Sequence, residues 1–220
     1  MDFSYAWSIR DRLVSETLDT FYMMFFSAIV AGIIGIILGV LMVTTKKGGL
    51  LEAPLFNNLL DKVLNLLRAV PFIILIAVIA PLTILIMRTR IGTNAALVPL
   101  IFTAAPYFAK QIEQALSSID PGLIEAAVAM GESPFHIITS VYLKEGLPQI
   151  VRASAITLIS LLGLTSMAGT VGAGGIGELT ISLGYNRYKT DVTLVSLAII
   201  LILVFSIQAI SNFIIRKISH

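Results

Sequence analysis

Glu125-Ala126-Ala127-Val128-Ala129-Met130-Gly131, continuing through Glu132-Ser133-Pro134-Phe135 to Gly146-Leu147-Pro148, is a polar interruption between two long apolar runs. Asp120-Pro121 reads as an N-cap followed by proline at the first helical position. The helix it opens is expected to run to Met130, with Gly131 as the left-handed residue that ends it. Ser133-Pro134 repeats the start signal, so a second helix is expected to run to Glu145 and stop at Gly146. Ile124, Ala127 and Val128 share a face of the first helix by their i, i+3, i+4 spacing; Phe135, Ile138 and Val141 line one side of the second. Two capped helices are more order than a connector needs. The segment fits a solvated helical hairpin resting on a membrane surface, or an element that docks on a soluble partner. The alanine pair leans towards docking, because small side chains let another surface approach closely.

The rest of the chain is greasy. Of its 220 residues 57% are hydrophobic and 13% charged, and the mean hydropathy is +0.94. Ordinary globular domains carry about a quarter charged residues, so this chain cannot present a normal water-soluble surface. The length fits one domain, residues 1–220. A net charge of +2 is too small to point to nucleic acid. Cysteine is absent, which excludes a disulfide framework and a thiolate metal site. His136 and His220 are too few for a histidine-built metal centre. No GxxxxGK[ST], HExxH or GxSxG motif occurs, so the chain carries no ATPase of its own and no visible catalytic machinery.

Roughly 20 apolar residues in a helix cross a hydrocarbon core of about 30 Å. Segments near 20–43, 60–87, 95–116, 150–170 and 192–215 qualify. The first is too long for the apolar region of a signal peptide and reads as a retained span. The third is the least pure, with Lys110 and Glu113 at its end. The runs are continuous rather than alternating, which favours helices over a barrel. The expected fold is therefore an all-α integral membrane protein of five transmembrane helices, with a cytoplasmic helical loop over 117–149. An odd count puts the termini on opposite sides. Lys46, Lys47, Lys62, Lys110, Lys144, Arg152, Arg216 and Lys217 then fall on one side, with Arg68 near it; Arg10, Arg12, Arg88, Arg90, Arg187 and Lys189 fall on the other. The excess marks the first side as cytoplasmic: N-terminus out, C-terminus in.

Other residues carry open readings. Gly172, Gly174 and Gly177 formally match a dinucleotide fingerprint, but that requires a preceding strand, and a membrane helix precedes them here. With Gly175 they make either a plain connecting turn or a moving segment. On the fourth span Ser160, Gly163 and Met167 share a face that either lines a path or packs helices. Met167 is the gate candidate, since a flexible thioether can fill a constriction and move aside. Arg68 either snorkels or meets a loop partner or an anionic substrate group. Pro71 and Pro81 should kink the second span. Gly35 and Gly39 form a GxxxG, flanked by Gly32 and Ala28, that predicts close helix contact within one chain or between two.

Glu125-Ala126-Ala127, three residues, Gly131, nine residues, then Val141 and Leu143 resembles the EAA loop of ABC-importer permeases. The proline usual after that leucine is Lys144 here, though Pro148 still ends the loop. Arg68 to Leu75, Gly131 to Pro134 and Val171 to Glu178 are similar to the methionine-importer (MetI-like) subgroup, and the similarity runs from about residue 10 to the C-terminus. The resemblance implies a bacterial cytoplasmic (inner) membrane permease working as two copies. Each copy lodges its loop in one of two ABC ATPase subunits, through Glu125, Ala126, Ala127, Gly131, Glu132, Ser133, Pro134 and Phe135. ATP and Mg then belong to the ATPase, not to this chain, and an extracytoplasmic substrate-binding lipoprotein delivers the amino acid. The implied substrate is methionine, L or D, and related amino acids, moved by alternating access. The implied gate region takes in Met167, Ser160, Gly163, Arg68, Pro71, Gly172, Gly174, Gly175 and Gly177. A permease for another small amino acid or a dipeptide is the alternative within this class. A passive channel needs a polar or charged pore ring, and an intramembrane enzyme needs paired catalytic groups at membrane depth; neither pattern is visible.

Overall fold

A computed structural model describes residues 3–218; His220 lies outside them. Among the described residues every regular element is helical: α1 (Ser4–Ser8), α2 (Arg10–Thr45), α3 (Pro54–Ala69), α4 (Phe72–Val78), α5 (Ala80–Met87), α6 (Thr93–Ser117), α7 (Pro121–Ala129), α8 (Pro134–Ile137), α9 (Leu143–Glu145), α10 (Leu147–Gly169), α11 (Ile176–Leu179) and α12 (Thr190–Ile218). Four of them, α2, α6, α10 and α12, are long and apolar enough to cross a membrane.

The central contact is α2 against α6, and glycines make it possible. A Cβ on Gly35 would lie 2.7 Å from Phe108 Cδ1, and one on Gly39 would lie 2.5 Å from Ile112 Cβ. The GxxxG is thus spent within the chain, while Gly32 beside it faces open space. The direction of the pair follows from its contacts. Tyr22 donates to Asn94 Oδ1 at 2.7 Å, Gly35 meets Phe108, and Gly39 meets Ile112, so α2 and α6 run parallel. Residues between them must therefore travel back along the same length.

That return is made by three helices rather than the single kinked one expected. Asn57 Nδ2 donates to Met42 O at 2.7 Å, Lys110 pairs with Asp61, and Arg68 stands over Tyr107; Thr83 reaches a cavity it shares with Gly92 and Ala95. The order is antiparallel to α6. Pro71 causes the main break: it denies the helix an N–H and pushes Val70 out of helical geometry to ψ 122°. The second interruption, at Ile79, precedes Pro81 in the first turn of α5.

α10 runs antiparallel to α6: Gly146 meets Leu116 at one end, and Gly92 N–H bonds Gly172 O at the other, 2.9 Å. Met23, Leu100, Ala104, Leu161 and Leu162 form the core shared by α2, α6 and α10. α12 joins through Val192 and Ser196 but stays largely outside, and Asp191 accepts from Ala6 N–H at 2.7 Å to fasten α1 to its start.

Candidate coupling surface and translocation face

The loop between α6 and α10 folds as its caps dictate. Asp120 Oδ1 accepts from Gly122 N–H at 2.9 Å and opens α7. Gly131 has φ +78° and ends that helical turn, with its N–H on Val128 O at 3.0 Å. Ser133 Oγ accepts from His136 N–H at 3.3 Å and opens α8. The second helical stretch does reach Glu145, but through a π-helical turn at Ile138–Tyr142. Gly146 is not a left-handed stop: its φ is −75° and the chain passes straight into α10. A glycine is needed there for closeness, because a Cβ would lie 2.6 Å from Leu116 Cδ2.

The faces differ from the expected ones. Ala127 is buried and Ile124 half-buried, but Val128 points outward. Adjacent helical residues are about 100° apart, so a short helix that buries Ala127 turns Val128 away. Along the second stretch Phe135 is exposed and Ile137 and Tyr142 are buried instead; they pack with Ala127, Val43, Phe108 and Ile112. The π-helical turn carries an extra residue and breaks the spacing of three. Burial raises the Tyr142 phenol pKa. The loop is thus anchored by Ala127, Ile137 and Tyr142. It presents Glu125, Ala126, Ala129, Met130, Ser133, Pro134 and Phe135 outward, with Met130 73% and Phe135 76% exposed. Glu132 lies 3.6 Å from His136.

On α10, Gly163 has no neighbour within 4 Å of a notional Cβ, and Met167 is exposed while Ser160 is half-buried. Their shared face is left uncovered by the chain itself. Ser160 and Arg68 line one cavity between α3, α6 and α10; Gly163 and Met167 do not line it. Pro71 is exposed at the start of α4.

The glycine segment lies at the opposite end of α10 from the loop, so the two groups of expected site residues are not brought together. Gly172, Gly174 and Gly175 have φ of 86°, 83° and 88°. The segment is stitched down. Gly175 N–H donates to Glu16 Oε2 at 2.7 Å, Gly174 N–H to Glu178 Oε2 at 2.9 Å, and Ile176 N–H to Thr20 Oγ1 at 2.8 Å. Gly177 abuts Ser166 so closely that a Cβ would lie 2.3 Å from its Cα. Glu16 and Thr20 were not foreseen as partners. They sit more than 150 residues away, and nothing local signals the contact. Among the described residues α10, and no strand, precedes the glycines, so they do not sit in a dinucleotide fold.

Residues 31–220 match the family model described as the binding-protein-dependent transport system inner membrane component. The chain belongs to that family. This inner membrane component is 43% identical over 210 residues to the probable D-methionine transport system permease protein MetI of Vibrio cholerae, covering 96% of this chain and 93% of that protein. It is 40% identical over 174 residues to the methionine import system permease protein MetP of Bacillus subtilis, covering 79% and 78%. Among solved structures it matches a chain of the inward-facing MetNI methionine ABC transporter with a TM-score of 0.95 at 38% identity, over 97% of this chain and 99% of that one. The expected resemblance to ABC-importer permeases of the methionine-importer subgroup is borne out.

Proposed function

We propose that this chain is the permease subunit of an ATP-driven importer of methionine, L or D, and related amino acids. ATP hydrolysis takes place on a separate subunit. The observation that carries the reading is the anchored two-helix loop: Ala127, Ile137 and Tyr142 tie it to α2 and α6, while Met130 and Phe135 stand out into what would be water. Exposed apolar side chains held out on a firmly anchored loop suit docking on another surface. The relatives named for methionine import support the substrate.

The chain makes five crossings, with the broken segment α3–α5 as the second. The parallel run of α2 and α6 supports this, since it demands a return between them. The N-terminus is outside and the C-terminus inside, so that the loop lies in the cytoplasm. Two copies face each other across the Ser160, Gly163 and Met167 face of α10, and each copy offers its loop to one of two ATPase subunits. ATP-driven approach of the ATPase subunits moves both loops as rigid levers and switches the pathway between inward and outward access. Met167 narrows the path, and the stitched glycine segment closes its outer end. An extracytoplasmic binding protein supplies substrate.

The test is uptake of labelled methionine into proteoliposomes holding this chain, its ATPase and a loaded binding protein, with and without internal ATP. ATP-dependent accumulation is expected. ATP hydrolysis without methionine uptake would remove the substrate, and failure to bind any ATPase would remove the permease reading.

A further inference from the structure

Arg68 is in the last turn of α3, with its guanidinium 5.9 Å from the centre of the Tyr107 ring. Tyr107 lies well inside α6, with roughly 15 Å of helix on one side and 21 Å on the other. The cation therefore stands against the body of α6, about one turn from the Lys110 cluster towards the centre of the helix. An ionised group inside a membrane is costly, and it is found paired or facing a polar pathway. No ion pair among the described residues includes Arg68. Lys110, one turn further along the same helix, has both Asp61 and Glu113. Arg68 is exposed on the surface of this chain, with the Tyr107 ring beside it.

The surroundings are built for a small zwitterion. Arg68, Thr103, Tyr107 and Ser160 line a cavity of about 370 Å³, with Leu161 and Leu164 as its apolar side. Within α10, Ser154, Thr157, Thr165 and Ser166 all donate back to a carbonyl of their own helix. Ser160 does not; its hydroxyl is uncommitted. Thr103 donates to Pro99 O at 3.0 Å, which leaves its oxygen free to accept.

The geometry points to a transit subsite for the amino-acid substrate in this cavity. The guanidinium of Arg68 takes the α-carboxylate, Ser160 donates a second hydrogen bond to it, Thr103 accepts from the α-ammonium, and Leu161 and Leu164 receive the side chain. A planar guanidinium matches a carboxylate with two parallel hydrogen bonds, which an ammonium group cannot do. This inference rests on the permease reading above and adds the residues that hold the cargo.

The experiment measures equilibrium binding of labelled methionine to the purified permease–ATPase assembly without binding protein, in competition with methioninol, which keeps the amine and lacks the carboxylate. Methioninol should compete about tenfold or more weakly than methionine. Arg68→Gln should weaken methionine binding by a similar factor in an assembly that still co-purifies with its ATPase. Arg68→Lys should restore only part of it, and Ser160→Ala should weaken it by about threefold. Should Arg68→Gln fail to assemble, Arg68→Lys and Ser160→Ala carry the test. Equal competition by methioninol, undiminished binding in these variants, or no saturable methionine binding in the parent would each overturn the subsite. If the parent still accumulates methionine with ATP, only the subsite falls; if it does not, the substrate reading falls as well.

Discussion

Gly177 and Gly163 are both glycines of the expected gate region, yet they have opposite surroundings. Gly177 leaves no room for a methyl group against the Ser166 backbone, whereas Gly163 faces open space. Gly177→Ala should cost about 1–3 kcal/mol through overpacking that only a backbone shift can relieve. It should lower the Tm of the detergent-solubilised chain; Gly163→Ala should leave Tm unchanged. An unchanged Tm for Gly177→Ala would show that α10 and α11 are less closely held than described. Gly131 is a third case. Its φ of +78° makes Gly131→Ala strained by about 1–2 kcal/mol, so this variant should insert normally but lose ATP-coupled uptake, as should Glu125→Ala. Undiminished uptake in both would contradict the docking role. Met167→Ala should change flux or leak more than assembly, checked by uptake and by passive efflux of loaded substrate.

Among the elements, the loop helices were readable at their ends but not at their faces. Asp120, Gly131 and Ser133 act through hydrogen bonds and dihedrals within a few residues, so they were legible as caps. Val128 was grouped on one face with Ile124 and Ala127, and Phe135 with Ile138 and Val141. Their outward position depends on where Phe108, Ile112 and Val43 meet the loop, and a π-helical turn leaves no reliable mark in sequence. The outward set makes its own prediction. Met130→Asp together with Phe135→Asp should sharply reduce ATPase co-purification and leave the chain in the membrane, because a charged side chain cannot enter an apolar groove unpaired. Retained co-purification would place the contact elsewhere. The joint between α3 and α6 is electrostatic: Lys110 bridges Asp61 and Glu113, the latter at 2.7 Å. Lys110→Met should therefore lower Tm, since it leaves two carboxylates facing each other. Adding Asp61→Asn should recover part of the loss; no recovery would mean the ion pairs do not hold the joint.

As a whole molecule the chain leaves two faces uncovered. The most apolar stretch of α12 is only 6% buried, and the α10 face around Gly163 has no cover. Lipid suits the first. A second copy suits the second, because that face also carries the half-polar Ser160 and opens beside Arg68. Native mass measurement of the assembly with its ATPase should give two copies of each chain; a one-to-one assembly would leave the face without its partner. Membrane class, helical fold and loop caps could be read directly from the chain, because hydrocarbon thickness and local hydrogen bonding act over a few residues or along one helix. The break of the return segment into three pieces was only half visible, as prolines mark a weakness without saying whether the helix bends or parts. The spending of Gly35 and Gly39 on α6, the stitching of the glycine segment by Glu16 and Thr20, and the placing of Arg68 against Tyr107 all emerged only on packing. They join residues far apart in sequence, and their energies exist only once the helices have been laid side by side.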